Sequence, residues 1–167
     1  VVLTSKRRAR DLRRPAVSLL GFGAQITKAH VSQQPDFIRS PIAVAGRRAF
    51  AQAGLSPRDV SVAQLYDAFT VTPLMALEDL GFCPKGEGGR FVQDGHIAPH
   101  GSLPINTDGG GLSSNHPGKR GVFAMIEAVR QARGDSPGYQ VPDVEVSLVS
   151  GIGGWFSAAA TLLMTAR

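Results

Sequence analysis

The stretch VEVSLVSGIGGWFSAAATLLM, residues 144–164, decides the fold class. Residues 144–149 and 156–164 are apolar runs of strand-forming composition, and they flank a glycine-rich segment at 151–154. Two such runs around a short glycine-rich turn are typical of a hairpin-like pair of strands. Because strands in a hairpin are antiparallel, any sheet that contains this pair cannot be purely parallel.

Upstream of this pair, predicted strands and helices alternate along the chain. Strands are expected at residues 1–4, 16–22 and 60–66, and helices at residues 5–12, 40–53, 68–80 and 118–133. Ser40-Pro41 is a typical helix start, and Gly54, Gly81 and Gly134 are typical helix ends. Alternation of this kind predicts an α/β fold, with a mixed five-stranded sheet covered by helices.

Residues 83–121 differ from the rest of the chain. They hold ten of the 20 glycines and three of the four histidines, and they show little hydrophobic periodicity. Long irregular segments are uncommon in compact domains and usually carry function. We therefore expect this region to contribute to a binding or catalytic site.

Composition excludes several classes of protein. With 167 residues, 43% of them hydrophobic and 19% charged, the chain is long and apolar enough for one globular domain. A single cysteine excludes a disulfide framework and a cysteine-based zinc site. The longest apolar stretch, residues 155–166, is too short to span a bilayer.

The net charge of +5 comes from residues 1–14, which hold six basic side chains and one acidic side chain. This segment is either the solvated face of a short helix or a patch for a phosphate-bearing ligand or an acidic partner. No aromatic residues are interleaved with these charges, so nucleic-acid binding is not expected.

Three short segments follow predicted strands or interrupt the pattern, namely residues 66–69 (YDAF), 115–118 (NHPG) and 150–154 (SGIGG). In open α/β sheets, ligands bind where strands deliver their loops. Each segment has an ordinary explanation when taken alone: a helix cap at Asp67, a loop histidine, and a glycine turn. The three segments in this order and at this spacing are a more specific signal than any one of them alone.

With these marks, the chain resembles the C-terminal half of the thiolase superfamily. The resemblance also includes VVLTSKRRARDL at residues 1–12, LEDLGFCPKGEGG at 77–89 and GGGLSSNHPGKRG at 109–121. The second and third of these stretches are most similar to the sterol-carrier and lipid-transfer branch. The resemblance implies half of a layered αβαβα enzyme that acts on acyl-CoA thioesters. Residues 1–15 would then end the preceding half and its connecting helix, and residues 16–167 would form the C-terminal domain.

The resemblance also implies a set of site residues. His116 is similar to the histidine that activates a nucleophilic cysteine supplied by the other half, and the amides near Gly151 to an oxyanion site. Tyr66 occupies the position of a family Asn or His. The remaining candidates are expected to lie near bound acyl-CoA: Asp67, Gly109, Gly110 and Asn115. No cofactor or metal is expected, because the coenzyme A thioester is the substrate.

The departures from the family pattern concern the second cysteine, which shuttles a proton. Its two possible positions hold Ala68 and Val149, or Ser150 if the glycine run shifts by one. Cys83 matches neither catalytic cysteine and is expected to be a small buried residue. Tyr66 suits removal of a hydroxyl proton in a retro-aldol reaction, whereas His116 suits thiolysis.

Three functions therefore stay open at this point: a thiolase-like acyltransferase, a lipid-transfer-type retro-aldolase on β-hydroxyacyl-CoA, and a non-catalytic acyl-CoA-binding subunit. The resemblance implies that the chain works with an N-terminal thiolase half, as a cytoplasmic homodimer, and with a possible zinc-ribbon/OB-fold partner. Without that half, the chain is expected to be inactive and to expose apolar surface.

Overall fold

The structure is a computed structural model that describes residues 1–114, 118–154 and 156–166. Its elements are, in chain order, α1 (Lys6–Ala9), β1 (Ser18–Ile26), α2 (Ile42–Ala53), β2 (Val62–Leu65), α3 (Val71–Asp79), α4 (Gly88–Gln93), α5 (Gly110–Ser113), α6 (Arg120–Arg133), β3 (Ser147–Gly153) and β4 (Ala158–Thr165). Short 3-10 turns occur at Val31–Gln33 and Pro57–Asp59.

The described strands form one mixed sheet in the order β1-β4-β3-β2. β4 runs antiparallel to both β1 and β3, and β2 runs parallel to β3. The predicted antiparallel pair at residues 144–164 is thus confirmed as β3 and β4, and so is the mixed α/β class. The sheet has four strands in the described part of the chain, where the sequence predicted five.

The missing strand is the one expected at Val1–Thr4, and that prediction is wrong. These residues have neither helical nor strand structure, and Val2 and Leu3 are each 91% exposed. A strand is stabilised by pairing with a neighbour, and no described strand pairs with this segment. The basic helix that follows is also shorter than expected, because α1 covers only Lys6–Ala9.

The predicted glycine turn at residues 151–154 is displaced. Gly151 and Gly153 belong to β3, where they pair with Ala160 and Ala158 of β4. The chain reverses further on, where Ser157 donates from its backbone to the carbonyl of Gly153. Glycine adopts extended as well as turn conformations, so a glycine run facing a partner strand can extend the ladder rather than break it.

Helices cover both faces of the sheet. Leu148 and Leu163 pack on one face with α2 and α3, while their neighbours Val149 and Met164 pack on the other face against α6. This follows from the period of two along a strand, which sends successive side chains to opposite faces. The helices predicted to start near Ser40 and Gly118 are therefore confirmed as sheet-covering layers.

The face of α6 that contacts the sheet is centred on small residues. Ala124 and Ala128 contact the sheet, whereas Val122 and Phe123 are each 47% exposed. Small residues allow the helix to approach the strands closely, Met125 and Val129 pack beside them, and Val122 and Phe123 remain on the outer side. Phe22 and Ile26 of β1 are also exposed. They lie on the α6 side of the sheet, beyond the part that α6 covers.

The long irregular region, residues 83–121, contains two short helices, α4 and α5, that the sequence did not predict. Helix α3 starts later than the predicted Ala68, so that Pro73 falls in its first turn, where a missing amide hydrogen removes no helical hydrogen bond. None of the helices in the described ranges is long and apolar enough to cross a membrane.

Candidate active site

An open cleft of about 480 Å³ lies where β2 and β3 end, beside the first turn of α6. Five segments of the described chain form its walls. They are residues 24–26 of β1, Tyr66 after β2, residues 118–121 at the start of α6, and residues 151–153 and 158–160 of β3 and β4.

Tyr66 and Gly151 reach this cleft because β2 and β3 are parallel and in register. Leu65 pairs with Ser150, and the backbone amide of Tyr66 donates to the carbonyl oxygen of Ser150 at 2.9 Å. Tyr66, which follows β2, therefore stands beside Gly151 in the last part of β3. A Cβ added at Gly151 or Gly153 would meet no atom within 4 Å, so these glycines leave room in the cleft.

The cleft is electropositive. Lys119 and Arg120 line it, together with the N-terminal turn of α6. Asp108, in the loop behind, pairs with Arg120, but the described lining itself contains no carboxylate. The amides of a helix N-terminus carry a partial positive charge, which favours anions. An enolate, an oxyanion or a phosphate group would be stabilised in such a place.

The glycine-rich loop at residues 106–112 is fastened to the end of β2. The Asn106 side-chain oxygen accepts from the amide of Leu65 at 2.8 Å, and the Asn106 amide donates to Ala63 at 3.0 Å. Asn106 has a φ of +48°, a conformation in which Asn is more common than most residues.

Asp67 is buried and forms the second attachment of this loop. Its two carboxylate oxygens accept from the amides of Gly111 at 2.7 Å and Leu112 at 3.1 Å. The sequence indicated a cap for the helix after it, but α3 begins at Val71 and receives no cap from Asp67. Its contacts support a role in holding the loop, and its predicted proximity to acyl-CoA stays a prediction.

The other predicted site residues fall into two groups. Gly109 and Gly110 lie in the loop that Asp67 holds, behind the described lining of the cleft. Asn115 and His116 lie outside the described residues, so their predicted roles stay predictions. The structure therefore brings Tyr66 and Gly151 to one cleft, with Asp67 directly behind it.

Arg120 and a buried network next to it in the fold were not among the site residues predicted from the sequence. Arg120 pairs with Asp108 at 2.8 Å and is only 6% exposed. Glu127 of α6 is 2% exposed and accepts from Thr107 at 2.6 Å, Gln131 at 2.9 Å and Ser136 at 2.8 Å. Polar residues four apart, at positions 127 and 131, were the available signal for a polar stripe on this helix.

Cys83 is buried in the core with α2 and α3, as predicted, and away from the cleft. Burial raises the pKa of its thiol, and nearby Glu78 adds to the effect, so the thiol stays protonated at neutral pH. His96 stacks on Phe91 with ring centroids 4.4 Å apart, and His100 contacts Tyr139 at 3.1 Å. These contacts give both histidines ordinary packing roles.

The fold and the cleft define a class: an α/β domain with an electropositive site at the edge of a mixed sheet. The family model described as thiolase C-terminal domain-like matches residues 23–166. The chain belongs to this family.

Relatives within the family have more than one activity. The chain is 39% identical over 117 residues to an acetyl-CoA acetyltransferase of Methanothermobacter thermautotrophicus, covering 70% of this chain and 30% of the relative. It is 36% identical over 159 residues to a steroid side-chain-cleaving aldolase of Thermomonospora curvata, covering 92% of this chain and 40% of the relative.

A solved structure, described as an Ltp2-ChsH2(DUF35) aldolase, superimposes on 97% of this chain with a TM-score of 0.85 and 33% identity. The match covers 43% of that structure's chain. The chain thus spans less than half the length of each of these three proteins.

Proposed function

We propose that the chain is the C-terminal domain of an acyl-CoA enzyme that cleaves a carbon–carbon bond by a retro-aldol reaction on a β-hydroxyacyl-CoA. The observation that carries the proposal is Tyr66 in the electropositive cleft, where the described lining offers a phenol but no thiol. The aldolase relative from Thermomonospora and the solved Ltp2-ChsH2(DUF35) aldolase support this choice.

The proposed reaction needs a group that exchanges a proton with the β-hydroxyl of the substrate. As that proton leaves, the C–O bond becomes a carbonyl, the Cα–Cβ bond breaks, and its electron pair forms a thioester enolate. The group that took the hydroxyl proton then returns a proton to Cα, which yields the shortened acyl-CoA with no net change in protons. In this proposal Tyr66 exchanges the proton at the hydroxyl and the positive end of α6 stabilises the enolate oxygen, and their presence in one cleft supports both roles.

The second candidate function is thiolysis or acyl transfer, as in the thiolases. The acetyl-CoA acetyltransferase relative supports it, and His116 is the residue of this chain that it would use. The nucleophilic cysteine would come from an N-terminal half outside these 167 residues. We expect this chain alone to be inactive in either reaction.

Product analysis on the full-length protein separates the two functions. A β-hydroxyacyl-CoA without free coenzyme A should yield a carbonyl compound and a shorter acyl-CoA, both measurable by mass spectrometry. A 3-ketoacyl-CoA with free coenzyme A should give little product. Turnover of only the 3-ketoacyl-CoA with free coenzyme A would contradict the retro-aldol proposal and favour thiolysis.

Partners are part of the same proposal. The exposed apolar side chains of β1 and α6, such as Phe22 and Phe123, support contact with an N-terminal thiolase half. The solved relative pairs Ltp2 with ChsH2(DUF35), which supports a second subunit, proposed to be a zinc-ribbon/OB-fold protein. A homodimer and a cytoplasmic location rest on the family resemblance alone.

The open space at Gly151 gives a direct test of the cleft as the acyl-CoA site. Valine at position 151 would fill the cleft while the strand keeps its preferred conformation, since β-branched residues suit strands. In the full-length protein, we expect G151V to weaken acyl-CoA binding by about 10-fold or more, the factor that follows from losing roughly 1.4 kcal/mol of contact. Isothermal titration calorimetry measures the loss, and the melting temperature should change little.

The matched control for this test is Leu162→Val on β4, which packs under α6 and lies outside the cleft lining. It should bind acyl-CoA like the wild type while losing some thermal stability. Normal binding by G151V would show that the ligand lies elsewhere.

A further inference from the structure

We propose that Asp67 is a positioning residue that fixes the two walls of the cleft relative to each other. The proposal rests on the proposed function, because it concerns the same site. Tyr66 stands on one wall, and its neighbour Asp67 points into the protein, where it is 3% exposed. Asp67 therefore does not meet the substrate and acts through the loop that it holds.

The first link runs from Asp67 to the glycine-rich loop. Both carboxylate oxygens are used, one by the amide of Gly111 at 2.7 Å and the other by the amide of Leu112 at 3.1 Å. Hydrogen bonds from backbone amides to a carboxylate are stronger than bonds between neutral groups. The loop is thus held at two adjacent residues by a rigid strand end.

The glycines of the loop show that its path is built around this carboxylate. A Cβ at Gly110 would overlap Asp67 Oδ2, and a Cβ at Gly111 would lie 2.9 Å from Asp67 Oδ1. Gly110 also has a φ of +71°, which side-chain-bearing residues rarely adopt. Glycine at these two positions lets the backbone come close enough for both hydrogen bonds.

The second link runs from the loop to the opposite wall. Asp108 lies in the same loop, and one of its oxygens accepts from Arg120 Nη2 at 2.8 Å and from the Gly110 amide at 2.9 Å. Arg120 lines the cleft at the start of α6 and is 6% exposed. Its Nε lies 3.7 Å from the point that a Gly111 Cβ would occupy, next to Asp67.

These links connect Tyr66 to Arg120 through Asp67, the loop and Asp108. A loop released from Asp67 would let the wall at residues 118–120 shift relative to Tyr66 without opening the sheet. Because a misplacement of about 1 Å can cost on the order of 100-fold in rate, such a shift should affect turnover more than folding.

The test uses Asp67→Asn in the full-length protein, since asparagine keeps the shape but presents an amide donor to one of the two backbone amides. We expect kcat to fall by about 10- to 100-fold, with KM for the acyl-CoA changed by less than about 3-fold. Hydrogen exchange measured by mass spectrometry should become faster in residues 106–121 and stay unchanged in β3 and β4.

Asp79→Asn is the matched control. Asp79 is also a buried carboxylate that accepts from a backbone amide, that of Ser40 at 2.9 Å, but its partners Ser40 and Lys85 belong to no wall of the cleft. D79N should lower the melting temperature while kcat stays at the wild-type value. If D67N fails to fold, Asp108→Asn tests the same chain of contacts at an exposed residue, with a smaller loss of kcat expected.

Loss of thermal stability in D67N with a normal kcat, as in the control, would overturn the proposal. So would an unchanged exchange rate in residues 106–121. Full activity of a Tyr66→Phe variant would overturn the retro-aldol function instead, and a loss of kcat by D67N in the thiolysis assay would still support the positioning role.

Discussion

Replacing Tyr66 by phenylalanine in the full-length protein is expected to lower kcat for retro-aldol cleavage by about 100- to 10,000-fold, the range typical for the loss of a general acid–base group. Phenylalanine keeps the ring and removes only the hydroxyl. Tyr66 is the one residue with a hydroxyl group in the described lining of the cleft, so no other described hydroxyl of the lining can take its place. Binding of acyl-CoA should change little, and steady-state kinetics with mass-spectrometric product detection measures both effects.

Tyr139→Phe is the control for this substitution, because it is the same chemical change at the second tyrosine of the chain. The Tyr139 hydroxyl contacts His100 in a separate groove at the opposite end of β2, and its loss should leave kcat unchanged. The thiolase alternative makes the contrary forecast: His116→Ala abolishes thiolysis with acyl-CoA binding nearly intact, and Tyr66→Phe remains active. That result would exclude the retro-aldol mechanism.

The fold was predictable where local signals and tertiary packing agree. Helix α2 illustrates this, because the Ser40-Pro41 start and the Gly54 end bracket a helix whose Ile42, Ala45, Ala49 and Phe50 are all buried. Residues 1–4 illustrate the opposite case. Their composition suits a strand, but a strand depends on a partner that the local sequence does not contain.

Glycine was the hardest residue to interpret from the sequence. The run at 151–154 has the composition of a turn, yet Gly151 and Gly153 continue β3 into the cleft. The direction of a glycine-rich segment depends on what lies opposite, which here is the alanine-rich start of β4. Pairing energy across the sheet, and not local preference, determined the outcome.

The site was partly predictable because the register of two parallel strands fixes which of their residues lie next to each other. Tyr66 and Gly151 each follow a strand that the sequence predicts, and strands paired in register bring their following residues together. The role of Asp67 was not predictable, because its contacts are with residues 44 and 45 positions further along the chain. Hydrogen bonds over such separations depend on how the loop folds back and leave no local pattern.

Gly23→Val is expected to destabilise the domain more than any other single change considered above. Gly21 and Gly23 of β1 face α2, and a Cβ at Gly23 would overlap the carbonyl oxygen of Ala45 and lie 2.8 Å from the Cβ of Arg48. The first of these atoms belongs to the backbone of α2 and the second is attached directly to it, so neither can rotate out of the way. Valine would therefore fit only if α2 moved away from β1. Overpacking of this kind typically costs about 1–3 kcal/mol, and we expect about 3 kcal/mol or more because the obstacle is backbone.

For a domain of this size, about 3 kcal/mol corresponds to a fall of roughly 6–12 °C in melting temperature, measurable by differential scanning calorimetry on the full-length protein. Ala24→Val is the matched control, one residue along the same strand and on its exposed face. It should change the melting temperature by no more than about 2 °C, because valine suits a strand and α2 does not lie against this face. Equal falls in melting temperature in the two variants would show that β1 does not tolerate valine at either position, whether or not α2 lies against it. A selective loss at Gly23 would show that the close approach of α2 to β1 holds in place the strand whose opposite face lines the cleft.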